Sequence, residues 1–266
     1  MTEPLKTSSP VISARSLNIG YRDETIVSDI NFTLDRHQSL ALIGTNGSGK
    51  STLLKTLVGL LPAVSGSLEV FGQNPGLVTR RIAYLSQFQS SGFILPLRAV
   101  DVVTMGRYAN AGLTGRLSGE DQDIVQTSMK RMGVEKLRDK TLRSLSSGQQ
   151  QRVYIAQTLA RQADLLILDE PTTGLDAAAR EIYQQMLRDE LCRGASIVVA
   201  THDIQEAMDC SLTMLLARKV VAVGRGEKVV TPEALLQTFG ITITLGKKPG
   251  ITVIEREHSH DHPCDD

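Results

Sequence analysis

The sequence predicts an α/β fold built around a mainly parallel sheet, and three observations lead to this expectation. Short apolar runs of strand length, such as residues 165–168 and 196–200, alternate with segments of helical length. A third apolar run, residues 39–43, leads through a glycine-rich loop directly into an apolar helical stretch. Nearly continuous apolar runs are typical of strands buried on both faces, so we expect helices on both sides of the sheet.

Composition excludes several classes of protein. The 266 residues include 29 Lys and Arg against 29 Asp and Glu, which gives a net charge of zero and argues against a protein held to nucleic acid by bulk charge. With 41% hydrophobic residues, the chain is not a simple disordered segment. Three widely spaced cysteines without a CxxC pair indicate a reducing compartment. Neither a secretory signal nor an apolar run of membrane-spanning length is evident, so we expect a soluble protein.

The first half of the chain reads as strands around one helix. Residues 1–10 are polar and predict a flexible N-terminus. Residues 11–34 alternate apolar and polar side chains, with breaks at Gly20 and residues 22–24, which indicates antiparallel strands and hence an antiparallel β subdomain. The strand at 39–43, the loop and a helix follow. Two further strands are predicted at 67–71 and 82–85.

The middle of the chain, about residues 89–162, predicts a helical subdomain. Ser118 with Asp121 fits a capping box, Gly133 fits a helix stop, and a second helix is expected over 149–161. Thereafter we expect strands at 165–168, 196–200, 212–216 and 220–223, with helices over 177–193 and 204–208 and from Thr231-Pro232 onward. These patterns predict one domain over 11–240 and a C-terminal extension over 241–266.

The loop after the first apolar run fits the phosphate-binding pattern GxxxxGK[ST] at every position, from Gly44 to Ser51. Glycines let backbone N–H groups turn toward phosphates, and the helix start adds its positive dipole end. Lys50 can reach the β and γ phosphates, and the Ser51 hydroxyl can bind Mg²⁺. The remaining predicted nucleotide contacts are Asn46, Gly47, Ser48, Gly49 and Thr52, although Thr52 could also be an ordinary helix-start residue.

A pair of carboxylates ends the strand at 165–168. Asp169 can hold Mg²⁺, and Glu170 beside it can activate an attacking water molecule. Ligands of open α/β sheets bind at this carboxyl end of the strands. An acidic pair can also cap a helix, but together with the phosphate loop it implies hydrolysis of a nucleoside triphosphate.

Between these two motifs, residues 145–152 read LSSGQQQR, which resembles the signature motif of the ATP-binding cassette (ABC) ATPases. The phosphate loop, Gln87, the signature, Asp169-Glu170, Gly174-Leu175-Asp176 and His202 occur in that family's order over roughly residues 11–240. The resemblance implies a P-loop NTPase core with an antiparallel β subdomain and a helical subdomain that carries the signature motif. It also implies ATP and Mg²⁺ as cofactors.

The same resemblance implies a role for each matching residue. Tyr21 would stack on adenine, Gln87 would contact Mg²⁺ and water, Asp169 would hold Mg²⁺, Glu170 would activate water, and His202 would sense the γ-phosphate. Asp176 would communicate across a dimer, and it could also cap the following helix. Each has an ordinary structural alternative, such as a strand aromatic for Tyr21 or a structural histidine for His202.

In this family two ATPase subunits enclose two ATP molecules, so the signature residues Ser146, Ser147, Gly148 and Gln149 would act on the nucleotide of the partner. Ser147 replaces the first glycine of the usual LSGGQ, and its Cβ would be costly if the backbone there had a positive φ. The implied partners are a second copy of the chain, an integral membrane permease and, indirectly, an extracytoplasmic substrate-binding protein, with no nucleic acid. The implied location is the cytoplasmic face of the membrane.

The cargo is suggested by two weaker features. Residues 97–108, LRAVDVVTMGRY, resemble a segment in ATPases of zinc and manganese uptake systems, with iron-siderophore, haem and vitamin B12 importers as the alternative. The stretch Glu170–Asp176, EPTTGLD, lacks the Phe of many zinc and manganese members and favours that alternative. A non-transport ABC ATPase and a small-molecule kinase are further hypotheses, weakened by the single cassette and by the signature, respectively.

The last residues concentrate metal-binding side chains. His258, His260, His262 and Cys264 lie among acidic residues, and such groups bind zinc-like metals. Their spacing fixes no regular site, so a solvated tail is the alternative to a weak transition-metal site.

Overall fold

The computed structural model describes residues 10–22, 24–87, 96–111, 116–240, 242–245 and 252–255. Its strands are β1 Ile12–Tyr21, β2 Glu24–Leu34, β3 Ser39–Gly44, β4 Ser65–Val70, β5 Ile82–Leu85, β6 Leu165–Asp169, β7 Ser196–Thr201, β8 Leu212–Leu216, β9 Val220–Gly224, β10 Thr242–Leu245 and β11 Thr252–Glu255. Its helices are α1 Lys50–Leu57, α2 Ala99–Ala111, α3 Gly119–Arg131, α4 Ser147–Ala160, α5 Ala177–Arg193, α6 Ile204–Met208, α7 Gly226–Val229 and α8 Pro232–Phe239.

A six-stranded sheet forms the centre of the fold, in the order β5-β6-β7-β3-β8-β9. The first five strands are parallel and β9 is antiparallel to β8. Residues Asp169 and Ala200 are paired, as are Ile43 and Thr201, so the carboxyl ends of β6, β7 and β3 lie at one edge. The predicted α/β fold with a mainly parallel sheet is therefore confirmed.

Both faces of this sheet are buried, as the apolar runs predicted. In β3, Ala41 and Ile43 face one core and Leu40 and Leu42 the other, as the two-residue period of a strand requires. The first core is closed by α2, α3, α4 and α5, and the second by α1 and the β1–β2–β4 sheet. Full burial of one such side chain contributes about 1.5–3 kcal/mol to the free energy of folding.

A three-stranded antiparallel sheet, in the order β2-β1-β4, packs against α1. Its first two strands pair from Ile12 with Leu34 to Tyr21 with Glu24, which confirms the predicted antiparallel strands. This sheet brings the end of β1, with Tyr21, and the start of β2 toward the phosphate loop.

Helices α2, α3 and α4 lie within the segment predicted to be helical. The capping box at Ser118 and Asp121 is present, and Gly133 follows α3 with a φ of 64°, as a helix stop requires. Asp121 also accepts a 2.8 Å hydrogen bond from the nearly buried Arg107 of α2, which fixes α3 on α2. Helix α4 begins at Ser147, two residues earlier than predicted, because the Ser146 side chain caps it.

The C-terminal part holds two elements that the sequence analysis did not predict. A short helix, α7, precedes α8, and strands β10 and β11 pair in antiparallel fashion, with Thr242 opposite Glu255. Helix α8 itself begins as expected, with Thr231 as its cap and Pro232 in its first turn. Among the described residues, no helix combines the length and apolarity needed to cross a membrane.

Candidate active site

The phosphate loop connects β3 to α1 and holds its lysine in place. The Lys50 Nζ donates hydrogen bonds to the carbonyl oxygens of Gly44, at 2.7 Å, and Thr45, at 3.1 Å. Lys50 is only 6% exposed, and burial lowers the pKa of its ammonium group, whereas the charges of Glu170 and Asp169 act to raise this pKa. The Lys50 ammonium group is therefore held inside the loop, against two of the loop's own carbonyl oxygens.

The loop conformation depends on Gly49, the residue before α1. Its φ is 107°, a left-handed value that favours glycine, and a Cβ there would overlap the Val27 side chain of β2. The residues between the strand and this glycine differ in exposure. Asn46 and Gly47 face solvent, whereas the Ser48 hydroxyl is buried without a hydrogen-bond partner. Thr52 is buried in the first turn of α1, and Tyr21 is 43% exposed at the end of β1.

The two carboxylates occupy different environments at the end of β6. Asp169 is 1% exposed, and burial raises the pKa of its carboxyl group, while the Ser51 side chain and Lys50 act to lower this pKa. Glu170 is half-buried, and its backbone N–H donates to the Ala200 carbonyl at 3.0 Å. Its φ is 49°, in the left-handed region that non-glycine residues rarely adopt.

The residues around Asp169 suit a magnesium ion. One Asp169 oxygen is buried without a hydrogen-bond partner, and the Ser51 hydroxyl adjoins the same carboxylate. Carboxylate and hydroxyl oxygens are the hard ligands that Mg²⁺ prefers, usually with several retained waters. In the described part of the chain, no group of three or more His, Cys, Asp or Glu residues forms an all-protein metal site.

Gln87 lies beside the second carboxylate. Strands β5 and β6 are parallel neighbours in which Leu85 pairs with Leu168, so the residues just beyond them meet. The Gln87 Nε2 donates to a Glu170 carboxylate oxygen at 3.1 Å. The structure thus brings together two residues that were selected separately from the sequence.

His202 follows β7 at the same edge of the sheet and is exposed. The next residue, Asp203, caps α6 by accepting hydrogen bonds from the backbone of Gln205, at 2.9 Å, and Glu206, at 3.3 Å. The Asp203 backbone N–H donates to the Thr201 hydroxyl at 3.1 Å. Both flanks of His202 are therefore held by short-range hydrogen bonds.

The signature residues form the beginning of α4. Ser146 and Gln149 make a reciprocal capping box, and Ser146 and Ser147 are exposed. Ser147 is the first helical residue and has no positive φ, so its Cβ causes none of the strain considered from the sequence. Within the described residues of this single chain, no hydrogen bond joins the signature residues to the phosphate loop.

Gly148 and Gln151 link this helix to the loop after Glu170. A Cβ on Gly148 would lie 2.6 Å from the Gly174 carbonyl oxygen, so only glycine permits this approach. The buried Gln151 side chain donates to the Pro171 carbonyl at 2.9 Å. Gln151 is not among the residues singled out from the sequence. The run of three glutamines at the start of a helix is the signal that could have indicated a structural contact there. The helix and the loop are consequently fixed to each other.

Asp176 caps α5, since its carboxylate accepts a 2.8 Å hydrogen bond from the Ala179 backbone. This is the structural alternative given for Asp176 from the sequence, and communication across a dimer stays a prediction. The predicted tail residues His258, His260, His262 and Cys264 lie outside the described residues.

Comparison with known proteins gives a consistent result. A family profile described as "ABC transporter" matches residues 27–173. The manganese transport system ATP-binding protein MntB of Bacillus subtilis is 34% identical, over 87% of this chain and 93% of the relative. The zinc transport system ATP-binding protein TroB of Treponema pallidum is 32% identical, over 89% of each. The chelated iron transport system membrane protein YfeB of Yersinia pestis is 34% identical, over 87% of this chain and 79% of the relative.

Solved structures agree with these relatives. An inward-facing structure described as a metal-chelate type ABC transporter superimposes with a TM-score of 0.78 at 26% identity, covering 94% of this chain and 99% of the other. The cbiO1 subunit of the ABC transporter complex cbiONQ from Clostridium perfringens superimposes with a TM-score of 0.71 at 27% identity, covering 86% and 93%. On the strength of the matched profile, the full-length relatives and the shared fold, the chain belongs to the ABC transporter family, as one of its ATP-binding proteins.

Proposed function

We propose that this chain hydrolyses ATP and uses the energy to drive import of a divalent metal, manganese or zinc, through a membrane permease. The observation that supports hydrolysis best is the 3.1 Å hydrogen bond between Gln87 and Glu170, at the sheet edge that also holds Lys50. A phosphate loop alone would account for nucleotide binding but not for hydrolysis. A carboxylate held by a neighbouring amide beside that loop supplies the group that activates water.

In this proposal each residue has a defined task. Lys50 and the amides of the phosphate loop neutralise the triphosphate, and Tyr21, exposed beside the loop, stacks on adenine. Ser51, Gln87 and Asp169 would hold Mg²⁺ and its waters, and the ion when bound neutralises charge on the β and γ phosphates. Glu170 orients and deprotonates the attacking water, and His202 contacts the γ-phosphate. Catalysis is then mainly positioning and electrostatics.

A second copy of the chain would complete the site. Ser146, Ser147 and Gly148 are at the start of α4, where the helix presents backbone N–H groups and a positive dipole end to an anion. The exposure of Ser146 and Ser147, together with the lack of a hydrogen bond to their own phosphate loop in the described residues, supports a partner's nucleotide as their target. Asp176 would lie at the contact between the two subunits.

The cargo is inferred from the relatives. The names of MntB and TroB specify manganese and zinc, which favours these metals over the siderophore alternative suggested by the EPTTGLD stretch. The iron-chelate importer is the second candidate, because YfeB is named for chelated iron transport and has the same 34% identity as MntB over a smaller share of its length. Under either cargo, the chain would sit on the cytoplasmic face of the membrane against a permease, with an extracytoplasmic binding protein as an indirect partner.

The test uses Glu170→Gln and a matched control, Glu181→Gln, at an exposed position of α5. We expect Glu170→Gln to lower the rate of phosphate release by a factor of about 10²–10⁴ and to accumulate an ATP-bound dimer in size-exclusion chromatography. Glu181→Gln should behave as the wild type. An unchanged hydrolysis rate for Glu170→Gln, or no ATP-dependent dimer, would refute the proposal. Uptake of radioactive manganese, zinc and iron chelates would then be compared between cells with and without the chain. The cargo is the one whose uptake is lost without the chain.

A further inference from the structure

A buried glutamic acid lies directly beneath the His202 turn. Glu206, in α6, is only 6% exposed, although glutamate is rarely buried without a cationic partner. None of the ion pairs among the described residues includes it. The proposed mechanism assigns this residue no task.

The surroundings of Glu206 come from three elements. Its carboxyl group faces the hydroxyls of Thr201, at the end of β7, and Tyr183, on α5, with Asp203, Cys210 and the His202 imidazole nearby. Burial raises the pKa of the Glu206 carboxyl group above its ordinary value of 4.5, and the two hydroxyls lower it. Burial therefore favours the protonated form of this carboxyl group.

The hydroxyl contacts of Glu206 are incomplete. Neither Glu206 oxygen, nor the hydroxyl of the fully buried Tyr183, has a partner at full hydrogen-bond geometry. Buried polar groups without partners are costly and are rare in native proteins outside functional sites.

The connections of these residues lead to the catalytic edge. Thr201 accepts a hydrogen bond from the Asp203 backbone, and Asp203 caps the helix that carries Glu206, so His202 lies inside a closed loop of contacts. The far end of α6 is held by Thr213, whose hydroxyl donates to the Ala207 carbonyl at 2.7 Å. Tyr183 belongs to α5, the helix capped by Asp176.

We propose that Glu206 is a positioning residue for ATP hydrolysis, which joins the His202 turn to Tyr183 on α5 and fixes the imidazole against the γ-phosphate. Glu206 itself touches no nucleotide. The inference rests on the proposed function, because it requires that His202 acts in hydrolysis. The inference goes beyond the proposed function because it links His202 to α5, the helix that begins next to Asp176 at the proposed dimer contact.

The experiment measures kcat and KM for ATP hydrolysis by the full chain and its variants. We expect Glu206→Ala to lower kcat about tenfold or more with KM changed less than threefold, since a small displacement of a catalytic group affects the chemical step. Glu206→Gln, which is neutral and nearly isosteric, should recover kcat to within about threefold of the wild type. Gln205→Ala, an exposed neighbour on α6, is the control and should behave as the wild type.

The decisive measurement is the same substitution in a His202→Ala background. If Glu206 acts through His202, Glu206→Ala should cause no further loss there, because contributions from one coupled unit are not additive. An equal loss in both backgrounds, a wild-type kcat for Glu206→Ala, or a Glu206→Gln variant as slow as Glu206→Ala would overturn the inference.

If Glu206→Ala does not fold, Tyr183→Phe tests the same link between Glu206 and α5. It removes only the hydroxyl, and we expect kcat to fall about threefold in the wild type and not at all in His202→Ala. Unchanged kcat in the wild-type background would overturn the inference. A wild-type chain that releases no phosphate would overturn the proposed function as well, whereas normal hydrolysis with additive losses would overturn the positioning role alone.

Discussion

The amide of Gln87 donates a 3.1 Å hydrogen bond to the carboxylate of Glu170, across 83 residues of sequence. The two side chains meet because β5 and β6 are parallel neighbours that end at the same edge of the sheet. The amide therefore restricts the directions in which this carboxylate can point. Since Glu170 is the proposed base, the orientation of its oxygens determines where an attacking water can bind.

Replacing Gln87 by Ala tests this restriction. A hydrogen bond to a charged group contributes about 1.5–3 kcal/mol, so we expect kcat for ATP hydrolysis to fall by a factor of roughly 10–100. Nucleotide binding measured without Mg²⁺ should stay within about twofold of the wild type, because the bond is not part of the phosphate loop. Gln126→Ala, at an exposed position of α3, is the matched control. An unaltered kcat in Gln87→Ala would show that Glu170 needs no such support.

The contact between α4 and the loop after Glu170 predicts different effects for substitutions at two adjacent residues. Gly148→Ala places a methyl group 2.6 Å from the Gly174 carbonyl oxygen, so we expect a loss of about 1–3 kcal/mol in the free energy of unfolding and no ATP-dependent dimer. Ser147→Ala, at the exposed first position of the helix, should change stability by less than about 0.5 kcal/mol. Urea unfolding of both variants gives the comparison, and equal stability would contradict it.

Ser147→Gly restores the usual family motif but should not stabilise the chain. Because Ser147 is helical in this structure, glycine there should cost about 0.5–1 kcal/mol of folding free energy through its greater backbone freedom. Denaturant titration measures the difference. A more stable Ser147→Gly variant would mean that serine is strained at this position.

A buried ion pair connects α3 to α5. Glu190, 3% exposed, accepts hydrogen bonds from Arg131, at 2.6 Å, and Arg193, at 2.8 Å. We expect Glu190→Ala to lower the free energy of unfolding by about 2–3 kcal/mol, below the range for fully buried pairs, because both guanidinium groups are partly exposed. The exposed neighbour Asp189 lies 3.6 Å from Arg131, and Asp189→Ala should cost about 0.5 kcal/mol or less.

The buried carboxyl group of Glu206 predicts a pH dependence of stability. Its folded-state pKa is raised by burial, so the folded chain binds this proton more tightly than the unfolded chain does. Its favourable contribution is complete below the unfolded pKa, ordinarily 4.5, and is lost as the pH rises through the folded pKa. Relative to Glu206→Gln, the wild type should therefore lose stability as the pH increases over this window. A difference between the two that does not vary with pH would exclude a raised pKa.

The sequence predicted the elements that have strong local signals. The capping box at Ser118, the proline at the start of α8 and the apolar runs of the parallel strands all reflect interactions between near neighbours. The motifs selected Lys50 and Glu170 as candidate site residues, because phosphate chemistry demands fixed residue types at fixed spacings, and their roles stay predictions. The period-2 alternation of Ile and Thr near residue 243 is a local signal for β10 as well.

Other features depend on strand order and could not be derived from local patterns. The contact of Gln87 with Glu170 requires β5 beside β6, and the burial of Glu206 requires α6 to pack against β3 and β8 of the central sheet. A positive φ at Ser147, which would have made its Cβ costly, does not occur, since the backbone there is helical. The Gln87–Glu170 contact and the packing of α6 join residues far apart in the chain, whereas the helical backbone at Ser147 follows from the local cap at Ser146.

The left-handed backbone of Glu170, with a φ of 49°, has an evolutionary consequence. A non-glycine residue in this region gives up about 1–2 kcal/mol relative to a relaxed conformation. Random variants of this chain selected only for resistance to heat should therefore accumulate glycine or asparagine at position 170. Variants selected for growth on scarce metal should retain glutamate there, so the two selections would separate the demands of folding from those of energy conversion at a single codon.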